Sequence, residues 1–194
     1  MEKDAALLIV DVQIDFCPGG ALPVAGGDRV VEQLNRAAQL FTAAGLPVLV
    51  SRDWHPPASG HFSGYGGLWP PHCVQGTHGA DFHPDLYLPP GTLIISKGSD
   101  PGSDGYSAFE GRGENGETLM EILELLGVEH LYIGGLASDY CIRSTALDAI
   151  LEGLAVTVLS DAIAGADISP GDSLRALEEM DRAGVEFCAV DDLH

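Results

Sequence analysis

Cys141 closes the stretch Gly134-Gly135-Leu136-Ala137-Ser138-Asp139-Tyr140-Cys141, which joins an apolar run to a segment with helical spacing. A strand that ends in glycines and hands the chain to a helix, with a cysteine near the first turn, is one way to make a reactive sulfur. The free N–H groups and partial positive charge at a helix start favour a thiolate. Such a nucleophile needs a base, donors for an oxyanion and a means of holding a substrate. Asp11, Asp53 and Lys97 each follow an apolar run, so three further ionisable groups reach the ends of separate strands. A carboxylate at the end of a buried strand has its pKa raised by desolvation, which suits Asp11 to take a thiol proton. Lys97 can stabilise the thiolate or the Asp11 carboxylate by charge. Asp15 competes with Asp11 as base but lies beyond the apolar run, where a loop or capping role is open to it.

A second constellation is Asp53-Trp54-His55, then His61, then Trp69-Pro70-Pro71-His72. Five of the seven histidines, His55, His61, His72, His78 and His83, fall in the one segment 52–90, which is a poor match to random scatter. An Asp-x-His pair at a strand end puts two side chains on one side, where they can share a metal, and His61 and His72 complete three nitrogens and one oxygen. That donor set suits zinc, iron or manganese. His78 and His83 are left as surface histidines, since a first-row ion in a mixed nitrogen and oxygen site seldom needs all five.

The elements that must position these groups alternate along the chain. Residues 5–10 form a short continuous apolar run, suited to a strand buried on both faces. Residues 28–44 carry helical spacing and stop at Gly45. Strands are predicted at 47–51, 92–97, 130–133, 155–159 and 185–190, with helices at 117–126, after Cys141 to about residue 152, and at 170–183, the last capped by Ser169 with Pro170 in its first turn. The segment 52–90 is rich in glycine, proline and histidine without periodicity, and a loop of that length is usually functional. This pattern predicts a three-layer α-β-α fold around a six-stranded, mostly parallel sheet, in one domain over residues 1–194. In such sheets ligands sit beyond the carboxyl ends of the strands, where Asp11, Asp53, Lys97 and the 138–141 turn would meet.

Composition narrows the partners. A formal charge of −20 on 194 residues argues against nucleic acid or an anionic membrane surface. The N-terminal apolar run is too short for a signal sequence or a membrane span, which predicts a cytoplasmic protein. Cys17, Cys73, Cys141 and Cys188 are far apart and form no Cys-x-x-Cys pair, so neither a disulfide framework nor a zinc ribbon is indicated, and the three outside the glycine turn read as buried small side chains. Assembly into a homo-oligomer is left open.

Seven segments carry a resemblance over nearly the whole chain: residues 10–16 (VDVQIDF), 53–56 (DWHP), 61–63 (HFS), 69–77 (WPPHCVQGT), 97–98 (KG), 106–109 (YSAF) and 135–141 (GLASDYC). In them the chain resembles the isochorismatase-like cysteine hydrolases, and among these the nicotinamidase branch. That resemblance implies a triad of Asp11, Lys97 and Cys141, and a divalent metal, zinc first and iron or manganese after it, on Asp53, His55, His61 and His72. It further implies a cis peptide at Leu136-Ala137, an oxyanion hole from the Ala137 and Cys141 amides, and aromatic walls at Phe16 and Trp69. Ser138 stands where many relatives have threonine, and a glycine-rich insert at 64–67 alters the pocket rim.

The activity so implied is deamidation of nicotinamide to nicotinic acid and ammonia through a Cys141 thioester, in NAD salvage, with the pyridine nitrogen oriented by the metal. Two other readings stay open on the residues themselves. One is a cysteine amidase of the same fold acting on carbamoyl or ureido compounds, relatives that lack the Asp53, His55, His61 and His72 set. The other is a non-catalytic metal-binding protein on the same scaffold.

Overall fold

The computed structural model describes residues 2–193. Its centre is one six-stranded sheet built from β1 (Ala5–Val10), β2 (Val48–Asp53), β3 (Leu93–Lys97), β4 (His130–Leu136), β5 (Ala155–Ala164) and β6 (Glu186–Cys188). Every pairing between these strands is parallel, in the spatial order β3-β2-β1-β4-β5-β6. The chain winds outward from β1 through β2 to β3, then crosses to the other side of β1 and winds outward again. The order therefore reverses between β1 and β4, where the loops leaving the two strands part to opposite faces and open a crevice.

Both faces of the sheet are covered, so β1 is buried at every position. Its odd residues, Leu7 and Ile9, pack with Leu34 and Phe41 of α1 (Val30–Ala43) on one face. Its even residues, Ala6, Leu8 and Val10, face the other side with Leu119 of α2 (Leu119–Leu126), Ala146 of α3 (Arg143–Leu151) and Met180 of α4 (Asp172–Ala183). The period-two alternation of a strand thus feeds two cores at once, which is why the run reads as continuously apolar. No helix among the described residues is long and apolar enough to cross a membrane.

The fold class and the element order agree with the sequence expectation, and several boundaries are corrected. β4 does not stop at Ile133: both glycines lie inside the strand, which continues to Leu136, with a register irregularity against β5. Gly135 pairs with Val10 at φ +128°, and a Cβ there would lie 2.0 Å from the Val10 carbonyl oxygen. A glycine is what lets the two central strands approach at the mouth of the crevice. β5 runs past Leu159 to Ala164, and β6 is only three residues, followed by a 3₁₀ turn at Val190–Asp192.

Ser169 does not cap α4. The helix begins at Asp172 after Gly171 at φ +85°, and the Asp172 carboxylate instead accepts the Ser169 N–H at 2.7 Å. α1 and α2 begin two residues later than expected, α2 because Thr118 and Glu121 form a reciprocal capping box.

Gly135→Ala is expected to lose about 2–5 kcal/mol of folding stability, from the positive φ and the overlap with the Val10 carbonyl combined. Urea unfolding followed by circular dichroism measures it, and an unchanged midpoint would contradict the close packing of β1 on β4.

Candidate active site

Three strand ends meet beneath the crevice. Asp53 and Lys97 are the last residues of β2 and β3 and lie opposite one another in register, while Asp11 follows β1 in the left-handed region at φ +51°. For a non-glycine residue that conformation is unfavourable and is held by its surroundings. Here the Asp11 N–H donates to Ser51 O at 3.2 Å, its carbonyl accepts from Gln13 N–H at 2.8 Å, and Ser51 Oγ donates to Asp11 Oδ1 at 2.7 Å.

Lys97 is completely buried, and its ammonium touches four groups. It lies 2.7 Å from Asp11 Oδ2, pairs with Asp53 Oδ1, and donates to Gly105 O at 2.9 Å and to Cys141 Sγ at 3.4 Å. Oxygens of Asp11 and Asp53 and the Cys141 sulfur all lie within 4.8 Å of one another. Burial opposes the charge on Lys97, but the two carboxylates outweigh it and hold the lysine pKa well above its ordinary value. Asp53, although buried, is held well below the usual carboxylate range by Lys97 and its histidine neighbours. Burial is decisive for Asp11, whose pKa is raised despite Lys97.

Cys141 corrects one expectation. It stands in a π-helical turn, Ser138–Ile142, ahead of α3, with Ile142 N–H bonded to Ala137 O. Burial pushes its thiol well above the ordinary value, against the pull of Lys97. The influence of a helix start is thus opposed by desolvation, which also raises the proton affinity of the neighbouring Asp11.

Next to this cluster, His55, His61 and His72 bring three ring nitrogens together. His55 Nδ1 lies 3.1 Å from Gly98 O, His72 Nδ1 lies 2.8 Å from Pro70 O, and His61 Nδ1 lies 2.8 Å from Asp104 Oδ1. A carbonyl or carboxylate oxygen can only accept, so each Nδ1 carries the hydrogen and each Nε2 presents a lone pair. Asp53 Oδ2 adds a fourth acceptor, 3.5 Å from His55 Nε2 and 3.8 Å from His72 Nε2. Four acceptors facing one another, with the buried His55 Nε2 lacking any protein donor, form a site that a cation would satisfy. The donor set therefore fits a divalent metal ion. Gly98 tightens it, since a Cβ at its φ of +64° would fall 2.4 Å from the His55 ring.

Both groups open into one pocket, whose walls include Phe16, Trp69, Tyr106, Tyr140 and Ile168 and whose floor carries Asp53 and Cys141. The Leu136–Ala137 peptide is cis, and Ala137 and Cys141 both border the pocket. Trp69 Nε1 donates to Tyr106 Oη at 2.8 Å, which fixes the indole against Tyr140 at 5.1 Å between ring centroids.

His78 and His83 lie outside the metal cluster. Cys17 and Cys73 are buried, Cys188 partly so, and all four cysteines are unpaired. Asp15 is a loop brace, accepting the Cys73 N–H at 2.8 Å and the Ala21 N–H at 3.0 Å.

Several contributors escaped the sequence reading. Buried Gln13 clasps the end of β2, accepting from Asp53 N–H at 2.7 Å and donating to Asp53 O at 2.8 Å. Its place two residues after Asp11 was the one available signal. Asp139 accepts from the Ala166 and Asp167 N–H groups, both at 2.8 Å, and so ties the Ile168 wall to the Cys141 turn. Asp104 and Tyr106 come from the loop after β3, whose path no local pattern predicts.

Residues 5–192 match the isochorismatase domain, and the chain belongs to that family. It is 45% identical over 186 residues to the nicotinamidase/pyrazinamidase of Mycobacterium tuberculosis, covering 94% of this chain and 97% of that one. Among solved structures it is similar to the pyrazinamidase of Pyrococcus horikoshii in complex with zinc, at 44% identity and a TM-score of 0.88, over 96% and 99% of the two chains. A third relative, PnC1 from L. infantum in complex with nicotinate, is 33% identical with a TM-score of 0.86, over 98% and 94%.

Replacing Asp139 by Ala removes two hydrogen bonds to a charged acceptor, each contributing roughly 1.5–3 kcal/mol locally. Amide exchange at Ala166 and Asp167 is expected to accelerate on the order of 10–100-fold while strand amides are unchanged. Unaltered exchange at both would show that the wall is held by something else.

Proposed function

We propose that this protein is a nicotinamidase, hydrolysing nicotinamide to nicotinic acid and ammonia. The observation that carries the proposal is the shared lysine: one buried ammonium joins a thiol and its carboxylate base to the aspartate of a three-histidine cluster, and both groups open into one aromatic-walled pocket. A thiol with a base is an amide-cleaving device, and a cation site in the same aromatic-lined pocket suits a ring that carries its own lone pair. The names of the M. tuberculosis and P. horikoshii relatives, and the nicotinate in the L. infantum structure, support the same substrate class.

In the reaction we infer, Asp11 accepts the Cys141 proton as the sulfur attacks the carboxamide carbon. Asp11 lies within 4.8 Å of the Cys141 sulfur, its carboxylate held there by Lys97 Nζ at 2.7 Å from Oδ2. Lys97 balances the negative charge that moves between sulfur and carboxylate. The Ala137 and Cys141 amides receive the oxyanion, a contact worth about 3–4 kcal/mol per donor in other hydrolases. Asp11 returns the proton to the departing nitrogen, the C–N bond breaks, and ammonia leaves. Water, deprotonated by the same carboxylate, then attacks the thioester, and the thiol is reprotonated as the acid is released. Phe16 and Trp69 flank the ring.

Asp53, His55, His61 and His72 hold the metal, for which zinc is our assignment; when bound it supplies a Lewis-acidic centre for the ring nitrogen. Four unpaired cysteines fit a reducing compartment, and we assign the protein to the cytoplasm and to salvage of the pyridine ring.

Ammonia release from nicotinamide, with nicotinate identified by chromatography, tests the proposal directly. Cys141→Ala is expected to lower kcat by about 10⁴-fold or more, and Asp11→Asn by about 10²–10⁴-fold. Full turnover by the Cys141→Ala protein would sink the mechanism. Dialysis against a chelator is expected to remove most activity and zinc to restore it; activity indifferent to chelation, in protein shown to be metal-free, would refute the metal's role.

A further inference from the structure

Two of the three cluster histidines are oriented by backbone carbonyls, Gly98 O and Pro70 O, which no side-chain substitution deletes. His61 differs. Its ring is 3% exposed, yet its Nδ1 is held by the side chain of Asp104, which is 65% exposed. His61 also sits between Gly60 and Gly64 in the glycine-rich part of the long loop, outside any strand or helix.

We propose that Asp104 is a positioning residue for the metal: by accepting the Nδ1 hydrogen it fixes the tautomer and angle of His61 and so sets how tightly the ion is held. This rests on the metal reading given above. The loop between β3 and Asp104 makes the role more than local. Gly98 O accepts from His55, Gly105 O accepts from Lys97 Nζ at 2.9 Å, and Pro101 O accepts the Gly60 N–H at 2.9 Å. One eight-residue excursion, 98–105, thus braces two metal-facing histidines and the central lysine from outside, and Asp104 is its side-chain contact to the ion's shell.

Partners of this kind set metal affinity because they hold the ligand ring in place and raise its basicity. The test is zinc affinity of metal-free protein, measured by competition with a chromophoric chelator, for wild type, Asp104→Ala and Asp104→Asn, alongside thermal unfolding of each metal-free form. Asp104→Ala is expected to weaken zinc binding roughly 10–100-fold with no change in unfolding of the metal-free protein. Asp104→Asn keeps an acceptor oxygen at the same place and is expected to stay within about fivefold of wild type. Wild-type affinity in Asp104→Ala overturns the inference. So does equal weakening in both variants, which would mean that charge and not the fixed tautomer matters, and so does a loss of affinity that tracks a fall in stability of the metal-free form. A wild-type protein that takes up no zinc overturns the metal reading and this inference together.

Discussion

Everything at the rim of the sheet depends on a single buried cation. Lys97 has no access to water, and an ammonium in that position is sustained only by charges brought into contact with it. Asp11 and Asp53 supply them from the two neighbouring strands. Two carboxylates share this one ammonium, so Lys97 cannot fully offset the cost of burying Asp11. The second Asp53 oxygen is turned to the histidine nitrogens.

Sheet order is what brings these groups together. The chain passes outward through β1, β2 and β3, so Asp11, Asp53 and Lys97 are separated by about forty residues each in sequence but sit on adjacent strands. Cys141 arrives from the opposite winding, in the turn after β4, and meets them across the reversal point. Close approach there requires a glycine in β4, and Gly135 meets that need without a side chain to displace the Val10 carbonyl. The left-handed residues outside glycine, Asp11, Cys73 and Asp167, all flank this region: one bears the base, one follows His72, and one adjoins the Ile168 wall. Unfavourable backbone is confined to where side chains must be aimed.

Residues that end apolar runs were legible in the sequence because a buried strand can deliver a polar group only at its end; Asp11, Asp53 and Lys97 were found on that ground. The histidines were legible by their concentration in one aperiodic segment. What escaped depends on long-range chain paths. Gln13 matters because β2 ends beside it, Asp104 because the loop after β3 folds back over His61, and Tyr106 because that loop ends against Trp69. The Ser169 cap failed for a local reason: Gly171 in the left-handed region starts α4 two residues later, and Asp172 supplies the cap in reverse. For Cys141 the helix start is opposed by burial, which pushes its thiol up.

The division of labour at the pocket follows from where each wall comes from. Asp11, Asp53 and Lys97 sit at or just past strand ends, which the sheet fixes, and Cys141 stands in the π-helical turn after β4. Surfaces that shape the pocket, Phe16, Trp69, Tyr106 and Ile168, lie outside the strands and are braced by side-chain bonds such as Trp69 to Tyr106 and Asp139 to Ala166 and Asp167. Loops can change without disturbing the sheet, so the pocket walls are free to vary while Asp11 and Lys97 stay in place. Asp53 is the exception that joins the two. One of its oxygens belongs to Lys97 and the other faces the histidines. The histidine cluster and the Cys141 sulfur are therefore linked through one carboxylate and one ammonium.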